Sequence, residues 1–249
     1  MLTESLAITK VQPSTRYLWF LTLSYSMLIA LSNWFDARLV QLFNIVLSPG
    51  TLIFPLSFLL SNLITEVYGY KNTRRAVWTA FLFNLIFILF GQILTLLPSP
   101  SFAKDSAAFD RLFAMNTLVI IGSLISYLVS ESLNPYIIAK LKIKFNGKYM
   151  GIRFILSTLS ASILDSAIFT IIAFGVTYNT TILYDLIINI SVTKIVIEIL
   201  GLPLSMRVAN FLKKQEQLDI YDIGTNFTPL GLETQYDSRH NRYHQSTVK

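Results

Sequence analysis

Long stretches without a charged residue constrain this chain more than any other feature of its sequence. Residues Tyr17 to Phe35 and Leu39 to Thr65 contain no Lys, Arg, Asp or Glu. A helix needs about 20 apolar residues to cross about 30 Å of hydrocarbon, whereas a helix on a soluble protein carries charges on one face. These stretches therefore predict an integral membrane protein.

The composition supports this class and excludes several others. Only 14% of the 249 residues are charged and 53% are hydrophobic, whereas soluble domains carry about 25% charged residues. The chain has no cysteine, and its two histidines, His240 and His244, lie in the polar C-terminal segment. Thiolate nucleophiles and imidazole or thiolate metal ligands are therefore absent from the spans, and we expect neither a cofactor nor a metal site.

We predict an all-α bundle of six transmembrane helices within residues 16–212. The expected helices are Tyr17–Phe35, Thr51–Tyr68, Ala76–Leu97, Asp110–Ala139, Ile152–Tyr178 and Leu183–Leu212. The turn signal Ser48-Pro49-Gly50 separates the second helix from a short interfacial or re-entrant piece at 39–47. Residues 1–15 form an N-terminal segment, and residues 213–249 are expected to be a polar extramembrane tail without a core of its own.

The distribution of Lys and Arg predicts the orientation of the bundle. Lys71, Arg74 and Arg75 follow the second helix, and five further cations lie between Lys140 and Arg153. The links on the opposite side carry few or balanced charges, so the positive-inside rule places both termini in the cytoplasm. Topology and anionic lipid headgroups then explain the net charge of +6, and we infer no nucleic-acid partner.

Five ionisable residues inside the predicted spans are candidates for function, because such residues are costly in a membrane unless they line a cavity or have a partner. They are Glu66, Glu131, Asp165, Lys194 and Glu198. Each also has a structural explanation. Glu66 can cap against Lys71, Arg74 or Arg75, Lys194 can neutralise Asp165, and Lys194 and Glu198 can form an ion pair at spacing i, i+4.

Helical spacing groups these acids with other polar and aromatic side chains. Thr158, Ser162, Asp165 and Phe169 share one face of the fifth helix. Similar faces occur on the second helix, with Phe58, Asn62 and Glu66, and on the fourth, with Tyr127, Ser130 and Asn134 beside Glu131. We therefore expect the second, fourth, fifth and sixth helices to surround one polar cavity.

Four stretches in order along the chain resemble the queuosine precursor transporter family. The first runs from Phe54 to Lys71 (FPLSFLLSNLITEVYGYK) and is followed by Arg74, Arg75 and Trp78. The others are Ser130-Glu131-x-x-Asn134, then Arg153 followed by Ser157-Thr158 and Asp165-Ser166-x-x-Phe169, and finally Tyr221-Asp222-x-Gly224-x-x-Phe227-x-Pro229. One position departs from the family pattern, since Ser162 stands where the family often has Gln.

The resemblance implies uptake of 7-cyano- or 7-aminomethyl-7-deazaguanine, precursors of a modified tRNA base, across a bacterial inner membrane. A deazaguanine presents a ring N–H beside an amine, and a carboxylate can accept both donors. The expected substrate-binding residues are Asp165, Glu131, Asn134, Asn62, Glu66, Phe58, Tyr127, Phe169 and Ser162. Expected structural or coupling charges are Lys194, Glu198, Arg153, Arg74 and Arg75.

Other functions stay open at this level. The same scaffold can serve another small heterocycle or a vitamin, and a membrane-embedded enzyme or an assembly protein are further alternatives. The chain lacks a P-loop of the form G-x-x-x-x-G-K-[ST]. Proton coupling, facilitated diffusion with metabolic trapping and a separate energising subunit are all compatible with the sequence, as is a homo-oligomer.

Overall fold

The computed structural model describes residues 15–35, 40–42, 45–47, 49–100, 102–103, 106–113, 117–231 and 233–243. The helices in this part of the chain are α1 (Leu18–Phe35), α2 (Pro49–Ile53), α3 (Pro55–Tyr68), α4 (Tyr70–Thr95), α5 (Ser106–Phe113), α6 (Thr117–Lys144), α7 (Met150–Phe174) and α8 (Thr180–Glu216). The strands β1 (Val40–Leu42) and β2 (Ile45–Leu47) pair antiparallel where an interfacial piece was expected. Of the N-terminal segment, only Thr15 is among the described residues.

Within the described residues, six helical segments are long and apolar enough to cross a membrane, which confirms the predicted all-α membrane architecture. They are α1, the combined segment Gly50–Tyr68, α4, α6, α7 and α8. The longest, α8, has 37 residues and is about 55 Å long at 1.5 Å per residue. It therefore extends well beyond about 30 Å of hydrocarbon.

Several helices begin or end at other residues than predicted. α4 begins at Tyr70 rather than Ala76, and α7 ends at Phe174 rather than Tyr178. α8 begins at Thr180, because the Asn179 side chain accepts a hydrogen bond from the backbone N–H of Ile182 at 3.0 Å and caps the helix. Uncharged windows locate the apolar middle of a span, but the polar turns at its ends are also helical once their groups have partners.

The single helix predicted from Asp110 to Ala139 corresponds to the end of α5 and most of α6, and α6 continues past the predicted end to Lys144. The Phe113 ring at the end of α5 lies 5.1 Å from the Trp34 ring of α1 and 5.9 Å from the Phe87 ring of α4, centroid to centroid. These aromatic contacts attach α5 to α1 and α4. Residues 114–116 between α5 and α6 lie outside the described residues.

The start of α1 and the end of α8 lie next to each other on one side of the bundle. The Glu216 carboxylate at the end of α8 accepts hydrogen bonds from the backbone N–H groups of Arg16, at 3.1 Å, and Tyr17, at 2.8 Å. The carboxylate accepts from backbone N–H groups that have no partner within the helix, and its negative charge stabilises the N-terminus of α1. We call this side of the bundle the tail-side end.

The segment after Glu216 packs against the bundle at the tail-side end. Leu218 and Ile220 belong to the same buried hydrophobic cluster as Leu21 and Ile64. The described part of the segment is therefore attached to the helices rather than detached from them. Burial of its apolar side chains ties it to α1 and α3.

Gly69 forms the junction between α3 and α4 and has a φ of +82°. A Cβ atom at this position would lie 2.5 Å from the Tyr236 hydroxyl and 2.7 Å from Cγ2 of Ile220. The backbone angle and the close approach of the tail both require glycine here. The junction brings the end of α3 and the start of α4 against the tail.

Candidate functional site

Buried polar side chains from α3, α6, α7 and α8 meet in the middle of the bundle, as predicted from the helix faces. We call them the central polar cluster: Ser57, Asn62, Ser130, Glu131, Asn134, Thr158, Asp165, Lys194 and Glu198. All of them are at most 6% exposed. Polar groups are costly inside a membrane protein, so this cluster is a candidate functional region.

All four of these helices are joined by hydrogen bonds that end on a carboxylate. Asn134 of α6 donates through Nδ2 to Oδ1 of Asn62 on α3 at 2.8 Å. Asn62 in turn donates through Nδ2 to Oε1 of Glu198 on α8 at 2.6 Å. The Thr158 hydroxyl of α7 donates to the same oxygen at 3.1 Å. We call these four residues the amide chain.

Lys194 neutralises Asp165 and not Glu198. Its ammonium group donates to Oδ2 of Asp165, while the Ser130 hydroxyl donates to Oδ1 of Asp165 at 3.1 Å. Of the two pairs that the sequence left open, the structure shows the one with Asp165, because Lys194 reaches across to α7. Its Nζ also lies 4.7 Å from the centre of the Phe54 ring.

Several buried polar atoms of this region have no hydrogen-bond partner within the described residues. They include Oε2 of Glu131, Oε2 of Glu198, Oδ1 of Asn134 and Oγ of Ser162. A buried acceptor left unsatisfied costs about 1 to 3 kcal/mol, more when it is charged. Atoms of this kind, on helices that face one another, are suited to binding a polar molecule.

Comparison with known proteins identifies the family to which the chain belongs. Residues 48–208 match the model of a family described as "Putative vitamin uptake transporter". The chain belongs to this family. It is also 25% identical over 183 residues, 72% of this chain and 79% of the other, to a Bacillus subtilis (strain 168) protein named "Probable queuosine precursor transporter". No solved structure matches the chain.

The family match contains every member of the central polar cluster. The protein is thus a multi-pass membrane transporter, and its polar centre lies within the part shared with the family. The last turns of α8 and the tail follow the matched residues. They contribute Lys213 and Asp219 to a second group of charges.

Glu66 lies in this second group, one helical turn from Asn62 toward the tail. Arg153 donates to both oxygens of Glu66, at 2.6 and 3.0 Å, and Lys213 donates to Oε1 at 2.6 Å. Lys142 donates to the Glu66 backbone carbonyl, and its Nζ lies 2.7 Å from Asp219 Oδ1. We call these five residues the tail-side charge cluster.

The contacts of the tail-side charge cluster overturn the expectation that Glu66 caps against Lys71, Arg74 or Arg75. The Glu66 carboxylate is fully buried and already neutralised by Arg153 and Lys213. The cluster joins α3, α6, α7, α8 and the tail. Its geometry supports a structural or closing role beside the central polar cluster.

The two predicted arginines of α4 lie elsewhere. Arg74 donates to the backbone carbonyls of Thr228, at 2.8 Å, and Glu233, at 3.0 Å, and so holds the tail. Arg75 is exposed and lines a groove of about 600 Å³ between α1 and α4. Neither arginine is part of the central polar cluster.

The aromatic residues expected to bind substrate also lie in different parts of the bundle. Tyr127 is directed toward α1 and α4, because its hydroxyl donates to the Val77 carbonyl at 3.0 Å and its ring stacks on Phe81. Phe58 is fully buried on α3, edge-on to Phe54. Phe169 is partly buried and contacts Phe174.

Sequence reasoning missed two contributions, one in the central polar cluster and one in the tail. Ser57 contacts Glu131, and its position one turn before Ser61 on the face of α3 was a usable signal. The tail residues Asp222 and Tyr236 are a second case. Burial and the neighbouring Asp222 raise the pKa of Tyr236 well above its usual value, so its phenol stays protonated and donates to Asp222.

Proposed function

We propose that this transporter takes up 7-deazaguanine precursors of the tRNA base queuosine, 7-cyano-7-deazaguanine and 7-aminomethyl-7-deazaguanine. The observation that carries the proposal is the amide chain, with its unpartnered acceptor atoms on Glu198 and Asn134 among the described residues. The printed name of the Bacillus subtilis relative supports the same substrate class.

The chemistry of Glu198 suits the edge of a deazaguanine. The ring N–H and the exocyclic amine of a deazaguanine are parallel donors, and a carboxylate accepts such a pair with two charge-assisted hydrogen bonds. Asn62 and Thr158 hold Oε1 of Glu198, which fixes the carboxylate in the protein interior. The fixed orientation lowers the entropy lost on binding.

Other groups nearby complement the rest of the ring. Ser162 lies one turn from Thr158 on α7, and its buried hydroxyl has no partner within the described part of the chain. A hydroxyl can donate to the carbonyl oxygen of the substrate. The Phe58 and Phe54 rings provide aromatic surface beside the cluster.

Asp165 has a different task in this proposal from the one expected from sequence. Because Lys194 and Ser130 occupy its two oxygens, it positions Lys194 and keeps α7 and α8 together. Removal of either partner leaves a buried charge uncompensated, which is strongly destabilising. Asp165→Asn is therefore a less specific probe of binding than a change at Glu198.

We further propose that the protein resides in the bacterial inner membrane with the tail-side end in the cytoplasm. Lys71, Arg74 and Arg75 begin α4 at this end, and Lys140, Lys144 and Lys148 follow on the same side. Positive charges beside short spans favour the cytoplasmic side.

Queuosine in tRNA tests the proposed uptake. The host strain neither makes nor imports the precursors, receives low external 7-cyano-7-deazaguanine, and expresses the chain or a variant. We expect the intact chain to restore queuosine and Glu198→Gln to abolish this. Asp185→Asn is the matched control, because it makes the same chemical change at an exposed position of α8.

A well-inserted intact chain that restores no queuosine contradicts the substrate assignment. The family description then favours a second candidate, uptake of a vitamin or another small heterocycle. Thermal-shift screening of vitamins and nucleobases on the purified chain distinguishes the two.

A further inference from the structure

We propose that Glu131 is a proton-binding site and that the protein moves a proton inward together with its substrate. The inference rests on the proposed function and adds the source of energy. It follows from the hydroxyl groups and charges that surround Glu131 on α6.

The first argument is the number of protons available to Glu131. The Ser57 hydroxyl oxygen lies 2.6 Å from Oε1 of Glu131 and 2.7 Å from the backbone carbonyl of Phe54. A hydroxyl has one proton to donate and two lone pairs with which to accept. With its single proton, Ser57 makes two separate, full-strength hydrogen bonds only if it donates to Phe54 and accepts from a protonated Glu131; otherwise the two oxygens share one proton.

The tyrosines of the same region leave this count unchanged. Tyr127 donates its hydroxyl proton to the Val77 carbonyl at 3.0 Å. The Tyr25 hydroxyl lies 3.1 Å from that of Tyr127 and also interacts with the Glu131 carboxyl group, so its one proton is shared between two acceptors. Oε2 of Glu131 has no partner within hydrogen-bond distance among the described residues.

The second argument is the balance of charge around Glu131. The groups facing it are Tyr25 from α1, Ser57 from α3, Asp165 from α7, and Lys194 and Glu198 from α8. The ammonium group of Lys194 is paired with Asp165. Glu131 and Glu198 are thus buried carboxyl groups without an ion pair in the described structure, and one bound proton relieves their mutual repulsion.

The arrangement favours movement of proton and substrate in the same direction. The substrate is proposed to bind Glu198 as a carboxylate, whereas the proton binds the separate group Glu131. A proton on Glu131 removes a like charge close to Glu198 and so favours the ionised form that accepts the substrate. By linkage, bound substrate then favours the proton on Glu131 to the same extent.

Transport by the purified full chain in proteoliposomes tests this coupling, with radiolabelled 7-cyano-7-deazaguanine as the probe. A gradient of about one pH unit, acid outside, supports about tenfold accumulation for one proton per substrate. We expect the intact chain and Asp185→Asn to accumulate the probe and a protonophore to abolish the accumulation. A trapped dye should report internal acidification when the probe is added outside.

Glu131→Gln separates coupling from binding, because the amide resembles the protonated acid. We expect this variant to exchange internal for external probe at equal pH, as the intact chain does, but to gain no accumulation from the gradient. Glu198→Gln should lose both activities. Gradient-driven accumulation by Glu131→Gln would show that Glu131 is not the proton site.

Results on the intact chain distinguish failure of the coupling from failure of the proposed function. If it exchanges the probe but neither responds to the gradient nor acidifies the vesicles, proton coupling is wrong and the substrate assignment stands. If it exchanges no probe at all, the proposed function fails and the coupling falls with it. The dye measurement needs no variant, so it tests the coupling even if Glu131→Gln does not fold, and Glu131→Asp, which keeps the carboxyl group, then serves as the second variant for the site.

Discussion

At the scale of single residues, the bundle depends on charges that neutralise one another away from water. Arg153 and Glu66 are both fully buried, and the guanidinium group contacts both carboxylate oxygens. Removal of one member of such a buried pair destabilises the protein, because the other charge keeps its desolvation cost without a partner. This geometry explains why a transporter keeps five charged groups at the end of its bundle.

Glu66→Gln should destabilise the protein by about 3 to 5 kcal/mol, since it leaves Arg153 and Lys213 without their shared carboxylate. The measurement is the melting temperature of the purified chain in detergent. Glu233→Gln is the control, because the side chain of Glu233 is 79% exposed in its pair with Lys71. An equal melting temperature for the two variants would contradict the structural role of Glu66.

The sequence alone located the important acids and left two partners open for Lys194. Asp165, Glu131 and Glu198 stand out because each interrupts an apolar span, which is visible in a single sequence. Whether Lys194 pairs with Glu198 or Asp165 depends on the rotation of α8 against α7, and helical spacing does not contain that information. The assignment of Glu198 to the substrate therefore needed the structure.

At the scale of elements, the tail completes the N-terminus of α4. Gly69 precedes this helix and has no side chain with which to cap it. Asp222 accepts a hydrogen bond from the backbone N–H of Tyr70 at 3.0 Å, and the Tyr236 hydroxyl accepts one from that of Lys71 at 2.8 Å. The tail thus supplies the cap that local sequence lacks.

Asp222→Ala should release the tail from α4, with a loss of about 1 to 2 kcal/mol typical of a missing cap. Limited proteolysis of the purified chain measures this release as faster cleavage after Glu216. Asp237→Ala is the control, since Asp237 has a half-exposed side chain and forms a surface pair with Arg239. Equal cleavage rates for both variants would show that the cap does not hold the tail.

The tail also shows why composition was a poor guide to packing. Its polar content predicted an extramembrane segment, and it has no separate core. A few apolar side chains, among them Leu218 and Ile220, are nonetheless buried in the bundle. The helix ends were misplaced for a related reason, because polar turns such as that beginning at Tyr70 are satisfied by partners distant in sequence.

Prolines add a further feature at the level of elements. Pro135 lies four residues after Glu131 in α6, and Pro203 lies five residues after Glu198 in α8. Pro135 has no N–H to donate to the carbonyl of Glu131, so the helix is weakened beside this acid. Both key acids thus lie close to points where their helices bend most easily.

At the scale of the whole molecule, an even number of spans brings both termini to the same side, and the contact of Glu216 with Arg16 and Tyr17 fits this arrangement. The proposed orientation places this side in the cytoplasm. The absence of native cysteine makes the orientation testable without background labelling.

In intact spheroplasts, a membrane-impermeant maleimide should label Val176→Cys but not Ser238→Cys. Val176 is 87% exposed between α7 and α8 at the end opposite the tail, whereas Ser238 is exposed in the tail. After lysis both variants should react, and the parent chain should stay unlabelled throughout. Labelling of Ser238→Cys alone before lysis would reverse the orientation.

The central claim is that Glu198 and its amide chain recognise a deazaguanine, and isothermal titration calorimetry on the purified chain tests it most directly. The account predicts binding of 7-cyano-7-deazaguanine, unchanged in Asp185→Asn and at least about tenfold weaker in Glu198→Gln, because charged hydrogen bonds contribute about 1.5 to 3 kcal/mol. It also predicts no binding of 7-deazaadenine, which lacks the adjacent ring N–H. Equal affinity of the intact chain and Glu198→Gln, or equal binding of both bases, would contradict the account.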